Sequence, residues 1–315
     1  MKSYHDYNAM MPCHDCLITA YDTDLQFIDG KPANANKNMW LHHTGLMNLN
    51  RTDLACTHWP ERIGVNGNER SPFDYTLNGT RKAGYYLRQQ DEVFLAVDVM
   101  NSNVNATKAQ LVIEWEYVPG TPEGFDIVFP VWLDVLGKCL NESTGVGAAD
   151  EVFTATSKTG WTSPYSGDLI LMVPHVHDGS TSQRVYLDGK LVCESKPAYG
   201  ETAEFVTHAE KKDGHGHEHG GDEHILHISS MSQCANVAKV EAGKGVFTIA
   251  SQYDMHEHTA MKDHHGELEP IMGIQFLHLA RPRDEALKDI AAMKNGNLQA
   301  FQNQVRGLEP PAETP

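Results

Sequence analysis

The sequence predicts an all-β protein: two antiparallel, jelly-roll-like β-sandwich domains in tandem, residues 1–148 and 149–282, then a short C-terminal helical appendage and tail over 283–315. Three observations carry this expectation. Short runs rich in β-branched and aromatic residues, at 94–99, 110–117 and 183–192, end in Gly, Pro or Asn. No helical period separates them, which favours antiparallel sandwiches over a parallel sheet. The length of 315 residues exceeds one ordinary sandwich, against roughly 100–200 residues per domain.

The elements follow in chain order. Strand-like segments fill residues 16–280, with the boundary placed at the polar stretch Asn141-Glu142-Ser143-Thr144-Gly145-Val146-Gly147. Asp188-Gly189, between two β-rich runs, predicts a hairpin turn. Residues 211–223 carry His215, His217 and His219 without any apolar residue, so they predict a mobile inserted loop that collects divalent ions weakly. Leu287, Ile290, Ala291, Leu298, Phe301 and Val305 give 283–306 an amphipathic helical pattern, interrupted near Asn295-Gly296. The Pro-rich end, 309–315, predicts a disordered tail.

Charge and composition exclude several functions. Lys plus Arg number 25 against 42 Asp plus Glu, a net charge of −17, so nucleic acid and anionic membranes would be repelled. No apolar run of about 18 residues or more provides a membrane span. The unusual count is 18 histidines, more than core packing needs and suited to metal binding. Six cysteines and sequons at Asn50, Asn78, Asn105 and Asn141 point to a secreted, extracellular glycoprotein stapled by disulfides. The start, Met1-Lys2-Ser3-Tyr4-His5, lacks the apolar stretch of a signal peptide, so the expectation is a mature form. Cys13-His14-Asp15-Cys16 has a zinc or redox spacing, but no second Cys-x-x-Cys completes four ligands. Six cysteines allow about 15 pairings; Cys193 with Cys234 is the one expected in the second domain.

The strongest chemical signal is Pro174-His175-Val176-His177-Asp178-Gly179. Side chains at i and i+2 of a strand share a face, so His175 and His177 can reach one ion, and Asp178-Gly179 places them at a strand end. The ordinary alternative is two surface imidazoles on an edge strand. His42 and His43 are adjacent, so on a regular strand they face opposite ways, and they can share a metal only at a bulge, bend or strand end. His14 and His58 lack diagnostic spacing. Met272 enters an apolar strand, where it is either core or a thioether ligand. Two imidazoles with a thioether favour copper, Cu(I) above all. Neither a Gly-x-Ser-x-Gly nucleophile turn, a phosphate loop nor a His-Glu-x-x-His motif is present.

Taken in order, Pro12-Cys13-His14-Asp15-Cys16, Trp40-Leu41-His42-His43, Gly67-Asn68-Glu69-Arg70, Met100-Asn101, Trp132-Leu133-Asp134, His175-Val176-His177-Asp178-Gly179, His227-Ile228-Ser229, Tyr253-Asp254 and Met272-Gly273-Ile274 resemble the stress-up-regulated nodulin-like family. More distantly the layout is similar to the ascorbate-dependent type II copper monooxygenases, such as peptidylglycine α-hydroxylating monooxygenase. That resemblance implies two sandwiches with one copper each across a solvent-filled cleft. It places an electron-transfer copper on His42 and His43, and an oxygen-binding copper on His175, His177 and Met272, the residues expected to be catalytic. The third histidine of the first site has no counterpart: the matching run is Val97-Asp98-Val99-Met100-Asn101, where Met100, or Asp98, stands instead.

The expected function is therefore a copper-dependent oxidoreductase taking O2, ascorbate as reductant, and a small-molecule or peptide substrate, with Tyr253 and Asp254 near the second copper. The alternative is a non-catalytic copper-binding protein for acquisition, buffering or stress protection, favoured by the incomplete first site and the histidine tract. A structural sandwich with relict histidines is a third reading.

Overall fold

The computed structural model describes residues 2–137, 151–208, 224–261, 268 and 270–293. The boundary stretch at 141–147, the histidine tract at 215–219 and the chain beyond Met293 lie outside the described residues.

The protein is all-β, as expected, and its core is built on a central eight-stranded sheet. From one edge its strands are Cys234–Val240, Gly167–Val176, Gly273–Pro282, Asp126–Asp134, Ala83–Leu87, Cys16–Phe27 and Phe73–Asp74, with Ala109–Pro119 also paired to Cys16–Phe27. The ladders are antiparallel except for Ala83–Leu87 beside Asp126–Asp134. A four-stranded sheet, Lys2–Asp6, Val93–Asn101, Met39–Thr52 and Pro60–Asn66, contributes to one core; another, Val152–Thr156, Phe247–Asp254, Ser180–Leu187 and Lys190–Ser195, contributes to a second.

The alternation of side chains shows why the middle sheet is apolar on both faces. Along Gly273–Pro282, Ile274, Phe276 and Ala280 enter the core shared with Leu46, Ile63 and Val65, while Leu277 and Leu279 enter the core shared with Val185, Phe247 and Ile249. Asp126–Asp134 divides likewise, Val128 and Trp132 to one side and Ile127, Phe129 and Val131 to the other. A strand covered on both faces reads as a continuous apolar run rather than an alternating one. This sheet is continuous through the expected boundary between the two halves, since Gly273–Pro282 pairs with Asp126–Asp134 over Ile274↔Asp134 to Pro282↔Asp126.

The local expectations are met where turn chemistry is explicit. Asp188 and Gly189 have φ of 50° and 76°, the left-handed pair that a two-residue hairpin between Ser180–Leu187 and Lys190–Ser195 requires. The helix Arg283–Ala292 buries Ala286 and Ile290 against the second core. Cys193 and Cys234 are disulfide-bonded, tying a flanking sheet to the edge of the central one. Cys13 and Cys16 are bonded to each other, so their sulfurs staple the chain rather than hold zinc.

His278 lies wholly inside this core, ringed by Phe73, Tyr75 and Phe276. Burial pushes its imidazole down to about 3, against the opposing hydrogen bond from Nδ1 to the Leu171 carbonyl. In the unfolded chain the same ring titrates near about 6.5. Between those values the unfolded state takes up a proton that the native state refuses, so stability falls as pH drops below about 6.5. His278→Asn, which keeps an N–H for Leu171, is expected to remove that loss: between pH 6.5 and 4.5 the wild type should lose about 2 kcal/mol more than the variant in urea unfolding. Parallel pH dependences would contradict the assignment.

Candidate metal centre

Two strands from opposite halves of the chain meet at this site. In Met39–Thr52 the pairing with Val93–Asn101 slips between Leu41↔Val99 and His43↔Asp98, so His42 is an extra residue in a β-bulge. A bulge re-aims a side chain that regular pleating would send to the other face. His42 and His43 therefore lie side by side, ring centroids 4.1 Å apart. The strand Gly167–Val176 is paired to Cys234–Val240 only as far as Met172↔Cys234. Beyond that point one side of the strand is unpaired, a place where Pro174 is tolerated. His175 lies opposite Ile274, one pair before the ladder ends at Val176↔Gly273, and His177 follows just past that end, its N–H donating to the Met272 carbonyl at 3.3 Å.

The four imidazoles form one cluster. Nε2 of His43 lies 3.0 Å from Nε2 of His177, and ligand atoms of His42, His43 and His177 all lie within 4.8 Å of one another. The His175 ring is 5.1 Å from that of His43 and 5.5 Å from that of His177. The outward nitrogens fix the tautomers. Nδ1 of His177 donates to the Pro270 carbonyl at 2.8 Å, and Nδ1 of His43 faces the Asp98 carboxylate at 3.4 Å. Both Nε2 atoms then present lone pairs to each other, an arrangement that a shared cation relieves. Nitrogens bound at about 2.0 Å to one ion stand about 3 Å apart when adjacent in its coordination shell.

His175 is held by Glu69, whose Oε1 accepts from Nδ1 at 2.7 Å with both side chains 2% exposed. Its Nε2 is buried without a partner. Leaving a buried polar atom unpaired costs about 1–3 kcal/mol, and a metal ion removes that cost. A carboxylate behind an imidazole is how metal-binding histidines are oriented and made more basic. Burial pushes Glu69 up, but the charge and hydrogen bond of His175 outweigh it and hold the carboxyl below its ordinary range. Burial and the neighbouring imidazoles keep His42 and His177 well below the usual imidazole range; burial also lowers His43, against the pull of Asp98. Burial thus favours the neutral form of His42, His43 and His177, the state in which imidazole binds metal.

Glu69 is the functional residue that reasoning from the sequence passed over, although it stands in the quoted run Gly67-Asn68-Glu69-Arg70. That loop is pinned on several sides. Asn66 bonds both the Ser71 N–H and its carbonyl at 2.8 Å, Arg70 donates to the Gly67 carbonyl at 2.8 Å, and Asn68 reaches the Ile228 carbonyl at 3.2 Å. A Cβ on Gly67 would stand 2.8 Å from Cε1 of His175, 2.9 Å from Oε2 of Glu69 and 2.9 Å from the His42 carbonyl. Gly67→Ala is expected to cost about 1–3 kcal/mol of stability and to weaken metal binding by displacing two of the imidazoles; calorimetric titration of the folded variant checks it. Unchanged affinity would mean that the loop yields without moving the rings.

The remaining residues singled out in the sequence lie around this cluster or apart from it. Asp98 backs His43, whereas Met100 packs with Trp40 and Ala35 in an apolar cluster. Met272 is buried in the core shared by the central sheet, and it is the backbone carbonyl of Met272 that faces His177 and accepts from the Tyr253 hydroxyl at 2.6 Å. Asp254 donates its N–H to the Gly179 carbonyl and caps the turn at His256. His14 and His58 are exposed. The structure thus gathers His42, His43, His175 and His177 at one place and keeps both methionine side chains in apolar packing.

A small pocket opens onto the cluster, walled by Trp40, Val176, Ile228, Met261 and Pro270 beside His42, His175 and His177. Its enclosed space is about 30 Å³, room for a water or a diatomic molecule. Asp178 at its edge is locked, accepting from His227 Nδ1 at 2.6 Å and from the Ile228 N–H at 3.0 Å.

Comparison with known proteins agrees with the resemblance read from the motifs. Residues 139–281 match the family described as stress up-regulated Nod 19. The chain is 29% identical over 277 residues to a protein of Phoma sp. named probable copper-dependent oxygenase M1, covering 86% of this chain and 65% of that protein. It is 29% identical over 265 residues to a protein of Cochliobolus lunatus named probable copper-dependent oxygenase clz3, covering 82% of this chain and 77% of the relative.

Proposed function

We propose that the protein is a secreted copper-dependent oxygenase whose metal is held at one shared centre by His42, His43, His175 and His177. The observation that carries the reading is the convergence of imidazole nitrogens from both halves, with ligand atoms of three of them within 4.8 Å. Neutral imidazoles suit copper, and also zinc, nickel and iron; the names of the two relatives favour copper among these. Copper, when bound, supplies the one-electron redox chemistry with O2 that no side chain possesses. Met100 and Met272 pack in apolar clusters, so the reading rests on the four imidazoles at one shared centre, which differs from the two separated coppers implied by the distant resemblance.

The chain's own part is to bind and orient. Asp98, Glu69 and the Pro270 carbonyl each hold an Nδ1–H, so the opposite nitrogens face inward without a conformational cost at the moment of binding. The pocket beside the imidazoles has room for a diatomic molecule, while a larger substrate presents its C–H bond at the mouth. Overall, substrate R–H, O2, two electrons and two protons give R–OH and H2O, with ascorbate as the electron donor. The disulfides Cys13–Cys16 and Cys193–Cys234 support an oxidising, extracellular compartment.

Metal analysis of the dialysed full chain, followed by oxygen-electrode measurements with ascorbate, tests this reading. One tightly held copper per chain and ascorbate-dependent O2 uptake that His175→Ala abolishes are the expected results. Tight copper without uptake would leave a copper-binding protein, and no retained metal would end the proposal.

A further inference from the structure

A second pair of imidazoles lies outside the centre. The strands Val206–His208 and His224–Leu226 form a separate two-stranded hairpin. Its register sets His208 directly opposite His224. Side chains directly across an antiparallel pair have Cβ atoms about 4.5–5.5 Å apart, the reach two imidazoles need to close on one ion. Here the ring centroids are 4.8 Å apart, tilted by 56°. Both residues are exposed, so metal would meet them without crossing the core. They line an open groove of about 680 Å³ whose wall includes Asn36 and Asn38.

The hairpin gives the pair a physical use. Two strands of three residues each are marginal on their own, and they close a fifteen-residue connection, 209–223. Bridging His208 to His224 clips the base of that connection, where closing a loop is costly in entropy. Thr207, between the pair and the core, bonds His227 at 2.9 Å, and the His227 ring meets the edge of Trp40 in the wall of the buried pocket. The hairpin is thereby braced against the molecule while its two imidazoles face solvent.

We propose that His208 and His224 form a second, surface metal site that takes copper(II) or another late first-row divalent ion by two imidazole nitrogens, separate from the buried cluster. Imidazole pairs follow the ordinary order of affinity, with copper(II) strongest. Being solvent-facing and two-coordinate from protein, the site exchanges its ion readily, in contrast to the enclosed centre.

The test uses the full chain with His215, His217 and His219 replaced by alanine, preincubated with one equivalent of copper, so that neither the tract nor the centre competes. Titration with copper(II) should then show one further, exchangeable ion, with a paramagnetic resonance spectrum split by two nitrogens. His208→Ala and His224→Ala should each weaken that uptake by about tenfold or more, with no change in melting temperature and no further loss when combined. Uptake in both variants equal to that of the parent chain, or dependence on one histidine alone, would overturn the proposal. Should the buried centre hold no copper, the preincubated equivalent itself occupies the hairpin, and its loss in His208→Ala and His224→Ala reads the same proposal, because only the hairpin residues differ between the chains compared.

Discussion

Replacing His177 with alanine is expected to lower the affinity of the buried centre for copper by at least about a hundredfold, because losing even an outer partner of a metal ligand costs about 10–100-fold. His177 is the residue on which the two halves meet: Nε2 faces His43 at 3.0 Å, and Nδ1 is fixed by the Pro270 carbonyl. The fold should survive. The side chain lies past the end of its strand and is only partly buried, and its removal takes away one of two opposed lone pairs. Competition against a chelator of known affinity measures the loss, and the melting temperature of the metal-free chain checks the fold. Met272→Leu supplies the contrast. That side chain packs in the apolar core, and a volume-conserving exchange there costs less than about 1.5 kcal/mol, so copper affinity should stay as in the wild type. A hundredfold loss in Met272→Leu, with His177→Ala unchanged, would reverse the assignment of the ligands.

Much of this centre can be read in the sequence because its parts are local. His175 and His177 are spaced for one face of a strand, and Asp178-Gly179 announces the strand's end. For His42 and His43 the sequence states a condition, a bulge, and the slip after Leu41 meets it. What no local pattern reveals is that the two pairs share a position. Their convergence depends on how the strand Met39–Thr52 lies against the end of Gly167–Val176, a tertiary relation with no periodicity. Glu69 stayed hidden for a similar reason: a carboxylate among 42 acids gains its role only when a loop pinned by Asn66 and Arg70 presents it to a histidine 106 residues away. Met272 shows a different limit of local pattern. Its place beside Gly273-Ile274 is visible in the sequence, but what its side chain packs against and which groups its carbonyl meets are decided by tertiary packing. The continuity of the central sheet was equally illegible, since each strand reads the same whether its neighbour comes from its own half or the other.

Glu69→Gln is expected to weaken copper binding by about 10–100-fold while leaving the protein folded. The amide oxygen can still accept from Nδ1 of His175, so ring orientation is largely kept; what is lost is the negative charge that makes the opposite nitrogen a better donor. The substitution also leaves a buried amide N–H2 to be satisfied, at a cost of about 1–3 kcal/mol, which unfolding experiments on the metal-free chain would register separately. A double-mutant cycle distinguishes action through His175 from general bracing of the loop. If Glu69 works by way of the imidazole, Glu69→Gln has no further effect on affinity once His175 is alanine, and the coupling equals the whole single-mutant effect. Additive losses would instead make Glu69 a brace for the 67–70 loop, with the His175 contact a consequence of where that loop lies. The spectrum of bound copper(II) provides the independent readout: a carboxylate-backed imidazole and an amide-backed one give different nitrogen couplings, whereas a loop brace would change the amount of metal bound and leave its spectrum as it was.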